Sequence, residues 1–300
     1  MNSRQRTPWE RLRANSTARI SAGILLFVLV CALLGPVLMP ASDKGLTGNQ
    51  FSPPSIAHPF GTDLHGQDLL YRVLTGAQVS LAVGISGALI SFFIGTAYGL
   101  VAGYAGGRVD GLMMRAVEVL YSVPRLIILL IAINAFDSQM KNVLAGFAGG
   151  ALISYSRIAI LVLSLGLIEW LTMARIVRGQ VLALKSQQFV MAARSLGQSH
   201  WNILTRHLLP NLVGVVVIYL TLTIPAVILD ESFLSFLGLG VQAPQASWGS
   251  LLADGAQVIN PVKSNWWLLV FPAAVMSVTL LSLNFLGDAL RDALDPRGHK

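Results

Sequence analysis

Apolar runs of roughly bilayer length alternate with short polar segments along nearly all of this 300-residue chain. A hydrocarbon core takes about 20 helical residues. Six runs are therefore read as crossings: Ile20–Met39, Leu81–Gly103, Leu112–Ala135, Ile158–Ala174, Leu212–Leu229 and Leu268–Leu286. That pattern predicts an all-α polytopic membrane protein with six transmembrane helices. In the second run Gly87, Ser91, Gly95, Gly99 and Gly103 recur every four residues, which lines small side chains along one face and predicts close packing on another helix. In the third, Glu118, Tyr121, Ser122 and Arg125 share helical spacing and give that helix a polar face. A charge at the centre of a membrane helix costs about 2.5–3.5 kcal/mol on insertion scales. Two readings stay open for Arg125: a place on a solvated translocation path with Glu118 and Ser122, or a side chain snorkelling to the outer surface. Pro225 is expected to kink the fifth run, where neighbouring helices satisfy the freed backbone.

Between the fourth and fifth runs lies a polar stretch, Lys185 to Pro210. At helical period Phe189, Val190, Ala193, Leu196 and Gly197 fall near one face, with Gln187, Met191, Arg194 and Gln198 near the other. This predicts a short amphipathic helix stopped by Gly197, a second short helix capped by Ser199, and Pro210 in the first turn of the fifth span. Ala192, Ala193 and Gly197 are small enough to let another protein approach the backbone. The stretch is read as a docking element.

The remaining polar segments suggest little chemistry. Residues Pro40 to Gly76 are rich in turn formers and are expected to be an external loop. His58, Asp63, His65 and Asp68 within it follow no metal-ligand spacing, and no metal is assigned. Phe136 to Arg157 is read as an external loop with a re-entrant or surface-lying piece, because LAGFAGGALI is too short to span. Asp230 and Glu231 are taken as the surface end of the fifth helix rather than an acid and base pair. Gly238 to Ala243 matches a dinucleotide fingerprint as a string, but Pro244 follows and no strand precedes it. Trp248 is placed in an external loop, Trp266 and Trp267 at the interface, and Gly287 to Lys300 in a charged tail. No phosphate-cradling GxxxxGK[ST] loop, HExxH site or GxSxG elbow is present, so the chain carries no catalytic residues and no cofactor site of its own.

Composition agrees: 54% hydrophobic against 12% charged residues leaves too little polar surface for a soluble globule. The net charge of +7 is explained by topology rather than by nucleic acid. With the N-terminus inside, Arg4, Arg6, Arg11, Arg13, Arg19, Arg108, Arg115, Arg175, Arg178, Lys185, Arg194, Arg206, Arg291, Arg297 and Lys300 fall on the inner side, against Lys44, Arg72, Lys141, Arg157 and Lys263 outside, with Arg125 in a span. Both ends and the docking stretch are thereby expected in the cytoplasm. Cys31, alone in the first span, forms no intramolecular disulfide.

Met191-Ala192-Ala193, Gly197 and His207-Leu208-Leu209-Pro210 resemble the cytoplasmic EAA loop of ABC-importer permeases, with Met191 where that family usually has Glu. ARIVRGQVLALK, ESFLSFLGLG, SWGSLL and NFLGDALRDALDPR are similar to blocks of the C-type permease subunit of oligopeptide and dipeptide ABC transporters. The resemblance implies a type I ABC-importer permease fold in a bacterial inner membrane. It implies residues 1–76 as an N-terminal segment with the first span and external loop, 77–287 as the permease core, and 288–300 as a cytoplasmic tail. The implied partners are a second homologous permease, two ATP-binding cassette ATPases that dock on Met191, Ala192, Ala193, Arg194, Gly197, His207 and Pro210, an external binding protein, a peptide substrate and membrane lipid. Dipeptides or nickel complexes are alternative cargoes, and a secondary transporter is the alternative mechanism, though no internal repeat supports it.

Overall fold

The computed structural model describes residues 8–39, 49–146, 152–259 and 264–294. Six helices among them are long and apolar enough to cross a membrane. A short α1 (Pro8–Ala14) leads into α2 (Ser16–Leu38), the first span, capped by the Asn15 side chain on the Ala18 amide. The second span, α3 (Leu69–Ala105), begins twelve residues before Leu81, so the predicted loop through Gly76 is in fact partly helical. Asp68 caps it by accepting from the Tyr71 amide, and its 37 residues rise about 55 Å, well beyond a hydrocarbon core of about 30 Å. Hydropathy marks only the part of a helix that meets lipid, and this one continues outside it.

The third predicted span is two helices, not one. α4 (Gly107–Ser122) is amphipathic, and α5 (Arg125–Gly146) is the crossing helix. Pro124 bars its predecessor from helical geometry, and Val123 is extended, with φ −83° and ψ 131°. Glu118, Tyr121 and Ser122 are therefore not on one continuous helical face with Arg125. α5 also runs past Ala135 into the expected external loop, where Asp137 pairs with Lys141 at 2.5 Å. Residues 147–151 of the short apolar piece lie outside the described residues. A 3-10 turn, Ile153–Tyr155, then opens α6 (Ser156–Lys185).

The small-residue stripe of α3 does what its spacing predicted, since α3 lies along α6. A Cβ on Gly95 would come within 2.6 Å of Met173 Cβ, and one on Gly103 within 2.8 Å of Val181 Cβ. Gly87 is the exception: its close neighbour is Val227 of α9 (Leu209–Phe236). Two short helices, α7 (Gln188–Ser195) and α8 (His200–Asn202), and a π-helical turn, Ile203–Leu208, connect α6 to α9.

Asp230 and Glu231 do not end the fifth span, because α9 continues to Phe236 and closes at Gly238, φ +76°, where the Leu239 amide donates to the Leu234 carbonyl. Glu231 is fully buried and accepts from Ser235 at 2.6 Å, Ser80 at 3.1 Å and Ser232 at 3.3 Å. Ser80 in turn accepts from the Trp248 amide, whose indole N–H reaches the Val73 carbonyl. Trp248, expected in an exposed loop, is completely buried at the start of α10 (Trp248–Val258). Hydroxyl groups satisfy a carboxyl that apolar periodicity alone would push to a surface. α11 (Trp267–Leu294) is the last span and carries helix through Leu294, where a tail was expected from Gly287. Trp267 is buried with its indole on the Thr62 carbonyl, while Trp266 stays half-exposed.

Candidate functional site

The loop between α6 and α9 folds as its sequence predicts. Gly197 adopts φ +73°, its amide donates to the Arg194 carbonyl and the Gln198 amide to Ala193, which is the glycine stop expected for α7. Ser199 caps α8 through the Asn202 amide, and Pro210 lies in the first turn of α9. The division of faces differs from expectation. Val190 and Ala193 are buried with Ile203, Leu208 and Leu212 at the foot of the spans, so Ala193 packs on its own chain instead of on a partner. Leu196, 81% exposed, and Trp201, 72% exposed, join Met191 on the free side with Ala192, Arg194 and Gly197. No neighbour lies within 4 Å of a Cβ on Gly197, so its requirement within the chain is its backbone angle. His207 Nε2 and Gln198 Oε1, 2.8 Å apart, tie the link after α7 to the π-helical turn before α9.

Tyr104, in the last turn of α3, ties this loop to the spans. Its hydroxyl meets His200 Nδ1 at 2.7 Å, its carbonyl accepts from Lys185 Nζ at 2.5 Å, and the Arg194 guanidinium sits 5.3 Å from its ring centroid. One residue thus joins α3, the end of α6 and both short helices. Sequence reading missed it because Tyr104 sits among turn-forming residues and its partners are 81 to 96 positions away.

The second candidate region lies at the α4–α5 break. Arg125 is paired with Glu169 of α6 at 2.8 Å and with Asp230 of α9. Its charge is met by two carboxylates of its own chain. Arg125 and Ser122 border a cavity of about 210 Å³ with Tyr121, Glu169 and Thr172. Ser122 donates to the Val119 carbonyl at 2.7 Å. Glu118 lines a different cavity of about 360 Å³ with Arg115, Arg175 and Arg178. Arg178 makes a two-pronged bond to Asp110, at 2.9 and 2.6 Å, and this bond holds the Asp110 carboxyl below the usual carboxylate range. Glu169 is the one acid in the long apolar helix α6, a signal that was present in the sequence and not used.

Comparison with known proteins decides the family. Residues 95–300 match the family described as binding-protein-dependent transport system inner membrane component, and residues 4–54 match the N-terminal TM domain of oligopeptide transport permease C. The chain belongs to this permease family. The permease is 45% identical to the dipeptide transport system permease protein DppC of Bacillus subtilis, over 96% of this chain and 84% of that protein. It is 42% identical to the oligopeptide transport system permease protein OppC of Escherichia coli K12, over 96% of this chain and 89% of that protein. In fold it is similar to a chain of the MetNI methionine ABC transporter in an inward-facing conformation, with a TM-score of 0.59 at 16% identity, covering 76% of this chain and 98% of the other. The permease is accordingly a multi-pass inner-membrane protein with the type I importer fold.

His58, Asp63, His65 and Asp68 of the permease are held by its own hydrogen bonds. Asp63 accepts from the His65 and Gln67 amides and from Arg72, which also reaches Asp254 of α10; Asp68 caps α3 and meets His58 Nδ1 at 2.9 Å. These contacts fasten residues 58–68 to α3 and α10.

Two expected outcomes arise here. Arg125→Ala leaves Glu169 and Asp230 without their shared cation; the arginine side chain is 42% exposed, so thermal stability in detergent should fall by about 1 kcal/mol, whereas Glu169→Gln, which keeps the Arg125–Asp230 pair, should lose less. Equal losses would show that the pair with Asp230 carries no weight. Tyr104→Phe removes the hydroxyl link to His200 at a cost of about 1 kcal/mol and should reduce ATPase stimulation in the assembled complex; Tyr104→Ala also removes the ring under Arg194 and should reduce it further. Full stimulation in Tyr104→Ala would rule out this link.

Proposed function

We propose that the permease is one of two permease subunits in an ATP-driven importer of short peptides, and that residues 185–210 transmit closure of two ATP-binding cassette ATPases to the spans. The observation that carries this reading is the free tip formed by Met191, Leu196 and Trp201 on helices whose other side is packed into the base of α6 and α9. Exposed leucine and tryptophan flanking a rigid glycine stop are suited to burial in a partner's groove. Motion of the tip reaches α3 through Tyr104 and α6 directly, and the close α3–α6 seam lets both helices move as one body. The ATPase site resides in the partners. Residues 77–287 act as the permease core, with 1–76 and 288–300 as flanking segments and both termini in the cytoplasm, in keeping with the Lys and Arg bias. The dipeptide and oligopeptide names of the relatives favour peptide cargo, and an external binding protein delivers it and sets most of the specificity.

The test is purification from native membranes in mild detergent followed by reconstitution. An ATPase and a second permease should accompany this chain, and trialanine uptake should require ATP and the binding protein. Uptake by this chain alone on a proton gradient, or uptake of a nickel chelate with no peptide uptake, would overturn the reading.

A further inference from the structure

The contact between α4–α5 and α6 runs antiparallel, so falling numbers on one side meet rising numbers on the other. Arg125 meets Glu169; Tyr121 hydroxyl lies 2.5 Å from Thr172 Oγ1; the Arg175 guanidinium stacks 3.7 Å from the Tyr121 ring centroid; and Arg115 and Glu118 share a cavity with Arg175 and Arg178. The two cavities share no lining residue but follow one another along this contact, separated by the Tyr121–Arg175 stack, and are read together as one polar groove. Its ends carry opposite charge. At the first, two carboxylates, Glu169 and Asp230, share the single cation Arg125. At the second, the Asp110–Arg178 pair is neutral, and Arg115 and Arg175 face the single acid Glu118. No ion pair among the described residues involves Arg115, Arg175 or Glu118. Excess charge beside a bilayer persists only where water or a counter-charge reaches it, and Glu118, Tyr121, Ser122 and Arg125, which line the two cavities, are all exposed.

We propose that this groove is the inner part of the translocation path and that its ends take the two termini of a short peptide, the ammonium at Glu169 and Asp230 and the carboxylate at Arg115 and Arg175. This rests on the peptide-importer reading and adds to it the chemical basis for passage. Six helical residues separate Glu169 from Arg175, a rise of about 9 Å. An extended chain covers about 3.3–3.6 Å per residue, so a peptide of about three residues spans both ends. The excess charges are weak, one at each end, and such paired weak contacts orient a zwitterion without trapping it.

The experiment compares trialanine, N-acetyl-trialanine and trialanine amide in proteoliposomes holding the full complex, with uptake divided by the binding protein's measured occupancy for each peptide and by the amount of assembled complex. Glu169→Gln cancels the negative excess while keeping the Arg125–Asp230 pair. It should slow the two free-amine peptides about tenfold, the value of one charge-assisted hydrogen bond, and spare N-acetyl-trialanine. Glu169→Asp should restore them. Arg175→Gln should slow the two free-carboxylate peptides and spare the amide. Where Glu169→Gln fails to assemble, Asp230→Asn tests the same excess charge, and Arg115→Gln does so at the other end. Equal slowing of all three peptides by each variant, or no slowing by any, overturns the proposal while leaving peptide import intact. Absence of peptide uptake by the wild-type complex removes the importer reading and this inference together, and it is seen before any variant is compared.

Discussion

Gly99→Leu should leave almost no assembled permease in the membrane. A Cβ at this position would overlap the Ala174 carbonyl oxygen and lie 2.8 Å from Val177 Cβ, and both obstacles belong to α6. A carbonyl fixed in its own helix cannot turn aside as a flexible side chain would, so the two helices must separate. Separation opens the adjoining contacts at Gly95 and Gly103, because all three glycines share one seam. Overpacking a close interior costs about 1–3 kcal/mol when side chains absorb it, and this site offers none that can. Van der Waals contact between close backbones is what holds membrane helices together, so the loss extends along the seam. Gly179→Leu is the matched control on α6, where nothing lies within 4 Å of the added Cβ. Fluorescence-detected size exclusion of both variants checks the expectation: a monodisperse Gly99→Leu peak of wild-type height would contradict it.

Glu231→Ala should destabilise the permease by about 3 kcal/mol, and Glu231→Gln by much less. Three serine hydroxyls converge on this carboxyl, and two of them also receive backbone amides, Ser80 from Trp248 and Ser235 from Val241. Alanine strips the acceptor from all three hydroxyls at once in a fully buried site, and each stranded polar group costs about 1–3 kcal/mol, offset in part where hydroxyls find new partners. Glutamine keeps a carbonyl oxygen and the volume. The damage should spread outward, since Gly249 of α10 rests against the Ser232 backbone and Gly240 against Ser235. Thermal unfolding in detergent tests the size of the effect, and hydrogen exchange tests its location: protection should be lost across 237–258 before α6. A Glu231→Ala protein as stable as wild type would mean that the serines do not depend on the carboxyl.

Apolar period and glycine spacing made the bundle legible. Runs of bilayer length predicted six spans, and the four-residue stripe of α3 predicted its closest neighbour contact, because both are local consequences of helix geometry in lipid. Gly197, Ser199 and Pro210 likewise predicted the ends of α7, α8 and α9, since caps and stops are decided by residues a few positions apart. Span boundaries were less legible. α3 extends beyond the lipid, and the Val123–Pro124 break divides what hydropathy joins. The break was in fact readable, because proline's effect on its predecessor is local.

The candidate sites divide in the same way. The docking stretch was visible as a polar interruption with helix punctuation, but Ala193 turned inward and Leu196 and Trp201 outward, because the way α7 rolls against α6 and α9 is decided by their packing. By itself, then, the sequence determined that the chain is a six-span helical membrane protein with a short capped helix pair between the fourth and fifth spans. Only the tertiary structure decided that Arg125 is shared by Glu169 and Asp230, that Tyr104 fastens the loop to α3, and that Glu231 and Trp248, taken for surface residues, are buried together. The physical reason is distance along the chain: periodicity and capping act within a turn or two of helix, whereas these partners lie 44 to 168 positions apart, as with Arg125 and Glu169 or Ser80 and Trp248, and meet only when the spans pack.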